Sequence, residues 1–160
     1  MIILLSVNLI FASTLHRPTV QGWRGIVPLH STRTDVERLL GPGTNECKCG
    51  YYLNDANVFF IYSSFKCKDG AVWEVPPDTV LRITVYPKTY SKFSDLNIDK
   101  TKFTERQDGH IENIVTYVSD DEGMIIEVNR EMDMVMGFYY VPAARDQLLR
   151  CNKPPKSIRH

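Results

Sequence analysis

The chain has 160 residues, with 19 Lys and Arg balancing 19 Asp and Glu, so it fits one domain of ordinary size and carries no net charge to hold a polyanion. That excludes a dedicated nucleic-acid binder, and a hydrophobic content of 43% excludes wholesale disorder. A folded globular domain is the default.

Residues 2–12 (IILLSVNLIFA) form an almost uncharged apolar run followed by small residues, the pattern of a secretory signal peptide spanning residues 1–13. The run is too short for a transmembrane helix, and no later segment approaches the needed length, so no transmembrane anchor is expected. No Lys or Arg precedes it, Asn8 interrupts it, and no Cys follows it to carry a lipid. Residues 14–21 read as a flexible lead-in, residues 22–151 as a single α+β domain, and residues 152–160 as a disordered basic tail.

The first element of the domain is a short helix. Thr32 is a good N-cap with Asp35 three residues on, Val36, Leu39 and Leu40 make an apolar stripe, and Gly41-Pro42 ends it. A loop follows to residue 57 and carries Cys47 and Cys49. Residues 58–62 (VFFIY) predict a strand that is apolar on both faces. A second loop holds Cys67 and Asp69-Gly70. In residues 80–86, Leu81, Ile83 and Val85 alternate with Arg82, Thr84 and Tyr86, which predicts a strand with one core face and one wetter face.

Residues 87–102 are polar, with Ser94-Asp95-Leu96 placed to open a short helical turn. Residues 113–118 and 124–128 flank an acidic turn ending in Gly123 and predict a β-hairpin. Residues 134–141 predict a further strand. Pro142 then suits the first position of a C-terminal helix running through Arg145, Leu148, Leu149 and Cys151, with Asp146 and Arg150 spaced to pair. The expected fold is α+β: an antiparallel sheet of four to five strands with a short N-terminal helix and a C-terminal helix.

Cys47, Cys49, Cys67 and Cys151 make an even set behind an export signal, which predicts two disulfides and a secreted or periplasmic location. Cysteines separated by one residue rarely meet disulfide geometry, so Cys47 and Cys49 are each expected to pair with Cys67 or Cys151, in either arrangement. The Cys-x-Cys spacing does not match a zinc knuckle, so no metal and no cofactor is expected.

The stretch carrying Thr32, Val36, Leu39, Leu40, Gly41 and Pro42 resembles the helix-to-sheet corner of the β-lactamase-inhibitor-like and small outer-membrane-assembly lipoprotein group, and is similar to that of uncharacterised secreted bacterial proteins. His30 before the cap, a proline directly after Gly41 and the missing lipid-bearing Cys depart from that group's pattern. The resemblance implies a sheet fold and a binding module without catalysis, not the outer-membrane-assembly role.

His16, His30, His110 and His160 show no ligand spacing, and Asp120, Asp121 and Glu122 read as ordinary hairpin-turn chemistry. The sequence contains no Gly-x-Ser-x-Gly elbow, His-Glu-x-x-His pair, phosphate-cradling glycine loop or Cys-plus-His signature. Tyr51, Tyr52, Trp73, Tyr86, Tyr117, Tyr139 and Tyr140 cluster on or beside the strands, and Tyr and Trp suit surfaces where an apolar body meets a polar partner. Tyr86, Arg82, Tyr117 and Trp73 are the candidate binding residues, for a protein or cell-envelope partner. The rival expectation is a small extracellular hydrolase that uses His30 or His110 with a carboxylate; a third is a structural envelope protein.

Overall fold

The computed structural model describes residues 22–44, 47–67, 72–107 and 113–151. The expected signal segment, the lead-in and the basic tail lie outside these residues, as do the Asp69-Gly70 turn, His16, His110 and His160. Within them the architecture is mostly-sheet α+β. One α-helix, α1 (Arg33–Leu40), accompanies seven strands: β1 (Gly50–Tyr52), β2 (Ala56–Tyr62), β3 (Val80–Pro87), β4 (Thr104–Gln107), β5 (Ile114–Ser119), β6 (Met124–Asn129) and β7 (Met134–Tyr140).

The helix begins where its cap residues place it. Thr32 and Asp35 form a reciprocal capping box, and Gly41 ends the helix at φ 81° with its N–H donating to the Glu37 carbonyl. At eight residues α1 is too short to persist alone, so packing must hold it. Val36 is fully buried and Leu40 packs against the core, but Leu39, the third residue of the expected stripe, is exposed. The preceding turn is tied to the start of β3 through Leu29 N–H to the Val80 carbonyl and Val80 N–H to the Ser31 carbonyl.

All seven strands lie in one antiparallel sheet of order β1-β2-β3-β7-β6-β5-β4, not the expected four to five. Two meanders, β1–β3 and β4–β7, meet where Ile83, Thr84 and Val85 pair with Tyr140, Tyr139 and Phe138. The additional strands are the two edges. β1 is three residues long, and β4 (TERQ) is exposed at every position, so neither carries the period-2 alternation that marks a half-buried strand.

Val58, Phe60, Ile83, Val85, Met124, Ile126, Phe138 and Tyr140 point to one face and form the core with Trp23, Ile26 and Val36 from the N-terminal segment. The β3–β4 link closes the other end of that face, where Phe93 stacks on Tyr117 with ring centroids 4.1 Å apart. Around the expected Ser94-Asp95-Leu96 turn, Asp95 N–H donates to the Lys92 carbonyl and Leu96 N–H to the Phe93 carbonyl as single turns, and a short 3-10 helix, Lys100–Lys102, follows later in the link.

The expected C-terminal α-helix is a six-residue 3-10 helix, Ala144–Leu149. Leu148 is 95% exposed, so no apolar stripe exists to dock an α-helix. Extended pairing wins beyond it: Arg150 bridges Trp73, Glu74 N–H donates to the Leu149 carbonyl, and Cys151 N–H donates to the Val72 carbonyl. Asp146 does not pair with Arg150. It is buried, and Arg150 lies over the Trp73 ring.

The disulfide pairing also differs from expectation. Cys67 joins Cys151, and Cys47 joins Cys49. The close pair forms because Lys48 sits in the left-handed region at φ 49°, which brings the two Cα atoms to 5.2 Å, inside the usual disulfide range.

Candidate functional site

The second face of the sheet carries the odd-numbered residues of β2 and the even-numbered residues of β3 that the core does not use. The pairings Asn57↔Tyr86, Phe59↔Thr84 and Thr84↔Tyr139 set them side by side. Four aromatic rings run across this face as an edge-to-face row. Tyr52 and Phe59 are 6.1 Å apart, Phe59 and Tyr86 6.2 Å, and Tyr86 and Tyr139 6.3 Å.

Gly137 is the seat of the row. A Cβ there would stand 3.2 Å from Tyr86 Cδ1 and 3.3 Å from Cε1, so the missing side chain is what lets the Tyr86 ring lie close to β7. The row ends on β6, where the Tyr139 hydroxyl donates to Glu127 Oε2 at 2.5 Å. Burial, then the hydrogen bond to Glu127, pushes the Tyr139 phenol well above the usual tyrosine range. It stays a neutral donor. Thr84, flanked by Phe59 and Tyr139, is buried although it points to this face.

Tyr52, Ile61 and Tyr86 remain 62%, 43% and 39% exposed, and Arg82, paired directly with Ile61, is exposed beside them. The arrangement offers a firm aromatic surface, one guanidinium and one carboxylate. Those are the components of recognition; a reacting constellation would need more.

The four candidate binding residues divide. Tyr86 and Arg82 share this outer face. Tyr117 pairs with Ile126 on the core side, stacks on Phe93 and donates to Glu105. Trp73 lies in the link between β2 and β3, bridged to Arg150 of the C-terminal segment with the guanidinium over its ring, away from both. Tyr52, Phe59, Tyr139 and Glu127 complete the outer row, and only strand register could have placed them together. Tyr51 and Tyr140 are core residues, and burial raises both phenols.

A second cluster lies at the N-terminal turn. His30 Nε2 is 2.9 Å from Asp146 Oδ1, with the histidine side chain 51% exposed and the aspartate 7%. The other carboxylate oxygen accepts the Ala143 N–H and so caps the 3-10 helix. A cavity of about 340 Å³ opens beside His30, lined also by Arg24, Ser31, Asp35 and Arg38. The two arginines are already engaged, Arg24 with Asp55 and Arg38 with Asp35. The Ser31 hydroxyl accepts the Val27 N–H.

The acidic hairpin turn is tied into the fold: Glu122 accepts from Lys102, and the Asp120 carbonyl accepts from Gly123 and Ala144. Among the described residues, no group of three His, Cys, Asp or Glu side chains could hold a metal ion, and no helix is long and apolar enough to cross a membrane. No protein-family model, curated protein or solved structure matches the chain.

Proposed function

We propose that the protein is a non-catalytic binding module of an oxidising compartment, secreted or periplasmic, that takes a protein or cell-envelope ligand on the outer face of its sheet. The observation that carries this reading is the aromatic row Tyr52–Phe59–Tyr86–Tyr139, with Tyr52 and Tyr86 exposed and Phe59 and Tyr139 half-buried, on the same face as Arg82 and Glu127. A contiguous aromatic surface left partly open to water is the kind that a partner covers. Tyrosine and arginine are the residues that most often dominate binding energies. Two disulfides support the compartment, since cytosolic reductants keep most thiols free. The resemblance at the Thr32–Pro42 corner agrees with a module without catalysis and names no partner.

The test is co-sedimentation of the purified protein with washed cell-envelope fragments, with thermal unfolding measured in parallel. Tyr86→Ala combined with Arg82→Ala is expected to lower the bound fraction at least about tenfold, as loss of one strong anchor does. Tyr52→Ala removes the most exposed ring of the row without uncovering Gly137, and it should weaken binding with little change in melting temperature. Binding that is unchanged in both variants would sink the proposal.

The His30–Asp146 pair favours a second reading, a small hydrolase. A buried carboxylate accepting from Nε2 leaves Nδ1 as the ring nitrogen without the proton, and His30 lines the cavity, an arrangement like the orienter-and-base half of a triad. Hydrolysis of a p-nitrophenyl ester that disappears in His30→Ala would support it. Equal rates for the wild type and the variant would remove it.

A further inference from the structure

The turn that opens the described chain holds an arginine where the backbone does not favour one. Trp23 and Ile26 exchange backbone hydrogen bonds, N–H to carbonyl, at 3.0 and 2.9 Å, so Arg24 and Gly25 are the two central residues of a tight hairpin turn. Both have positive φ, 50° and 82°, as the type I′ turn demands. Asparagine, aspartate or glycine fills the first of these places at little cost. An arginine there is strained, and strain of this kind concentrates at binding sites. The side chain is held as well: its guanidinium lies 4.7 Å from the centroid of the buried Trp23 ring, and Nη2 donates to Asp55 Oδ2 at 2.7 Å.

Arg24 stands in the wall of the cavity beside His30. Among the described residues that wall holds two guanidiniums, Arg24 and Arg38, against one carboxylate, Asp35; Asp55 and Asp146, which answer Arg24 and His30, are not part of it. Asp35 is committed to Arg38 and to the amide and hydroxyl of Thr32. The lining therefore carries one surplus positive charge, which suits a monoanion better than a phosphate dianion. Each arginine spends one nitrogen on its present partner and keeps further N–H groups to donate. Ser31 adds a buried donor: its oxygen accepts the Val27 N–H, and among the described residues no acceptor takes its hydroxyl proton. The wall also has an apolar part, made of Ile26 and of Leu39, the residue of the α1 stripe that the core leaves exposed.

We propose that this cavity binds a small organic carboxylate, its charged group on Arg24 and Ser31 and a short hydrocarbon body against Ile26 and Leu39. Arg24 is the anchor, because its side chain is 29% exposed against 76% for Arg38, and a charge-assisted hydrogen bond gains strength away from water. The planar guanidinium matches a carboxylate in shape. Fixed beforehand by Trp23 and Asp55, it loses little freedom when the ligand arrives, and that preorganisation is the use to which the strained turn is put. A volume of about 340 Å³ lies at the small end of the range for ligand sites, which limits the body to a short chain or a single ring. Neither the outer sheet face nor turnover at His30 enters, so the two readings given above stand or fall separately.

The experiment is isothermal titration calorimetry of the whole oxidised protein with hexanoate, with thermal unfolding measured in parallel. Hexanoate is expected to bind saturably and to raise the melting temperature. Hexanol, which lacks the charge, acetate, which lacks the body, and inorganic phosphate should each bind at least about tenfold more weakly. Arg24→Asn puts into the turn a residue that tolerates φ 50°, so the variant should melt within a few degrees of the wild type while its hexanoate affinity falls at least about tenfold. Leu39→Ser, at an exposed position, should weaken hexanoate and leave acetate unchanged. Overturning results are no saturable hexanoate binding, any of the three controls binding as tightly as hexanoate, or wild-type hexanoate affinity in either variant. Melting of Arg24→Asn far below the wild type would also overturn the proposal, since Arg24 would then serve the fold alone.

Discussion

Asp35 shows how one side chain can set where an element starts. Its carboxylate accepts the Thr32 N–H at 2.9 Å, the Thr32 hydroxyl at 2.8 Å and Arg38 at 2.7 Å. The Thr32 hydrogen bonds, with Arg38 adding to them, hold the carboxyl below the ordinary aspartate value of 3.8. A pKa lower in the folded than in the unfolded chain adds stability that is present above the unfolded value. It is lost as pH falls through the folded one. Asp35→Asn should therefore be less stable than the wild type at neutral pH, and the gap should close as the pH falls below the carboxylate range. Urea unfolding at a series of pH values measures this, and a gap that stays constant into strong acid would show that the charge plays no part. Thr32→Ala should cost about 1 kcal/mol at neutral pH and less in acid, because its hydroxyl both caps the helix and donates to the Asp35 carboxylate.

At the scale of elements, legibility in the sequence follows how much local information each element carries. Helix α1 has its start, its buried Val36 and its glycine stop written in consecutive residues. The β5–β6 hairpin likewise has apolar strands around a turn in which Gly123 takes φ 61°. The alternation in β3 separates Arg82 and Tyr86 from Ile83 and Val85 as its pattern indicates, although Thr84 is buried by neighbours from other strands. Strands β1 and β4 exist because β2 and β5 offer them unpaired backbone groups, a cause that lies outside their own residues. The C-terminal segment has helix-compatible spacing but is claimed by pairing with residues 72–74. The same limit applies to the candidate sites. Tyr86 and Arg82 were visible on one strand, whereas Phe59, Tyr139 and Glu127 joined them only through register. The His30–Asp146 contact spans 116 positions and has no local signature.

Among the described residues the two meanders meet along a single seam, the three residue pairs of β3 and β7. The C-terminal strap crosses back from the end of β7 to the β1–β3 side, where the Asp146–His30 contact, the backbone pairings of Leu149, Arg150 and Cys151 with Glu74, Trp73 and Val72, and the Cys151–Cys67 disulfide hold it. Of these the disulfide alone constrains the unfolded chain as well as the folded one. In the chain-entropy model a loop of 84 positions is worth about 4 to 5 kcal/mol. Cys67→Ser with Cys151→Ser should then lower the melting temperature by on the order of 10 °C or more, since each kcal/mol moves a domain of this size by a few degrees. The matching double variant at Cys47 and Cys49 should move it much less. Differential scanning calorimetry of the two variants separates the roles. If both shifted by the same small amount, the backbone pairings at Trp73 and Val72 would be sufficient to hold the strap, and the long disulfide would add little to what the sheet already provides.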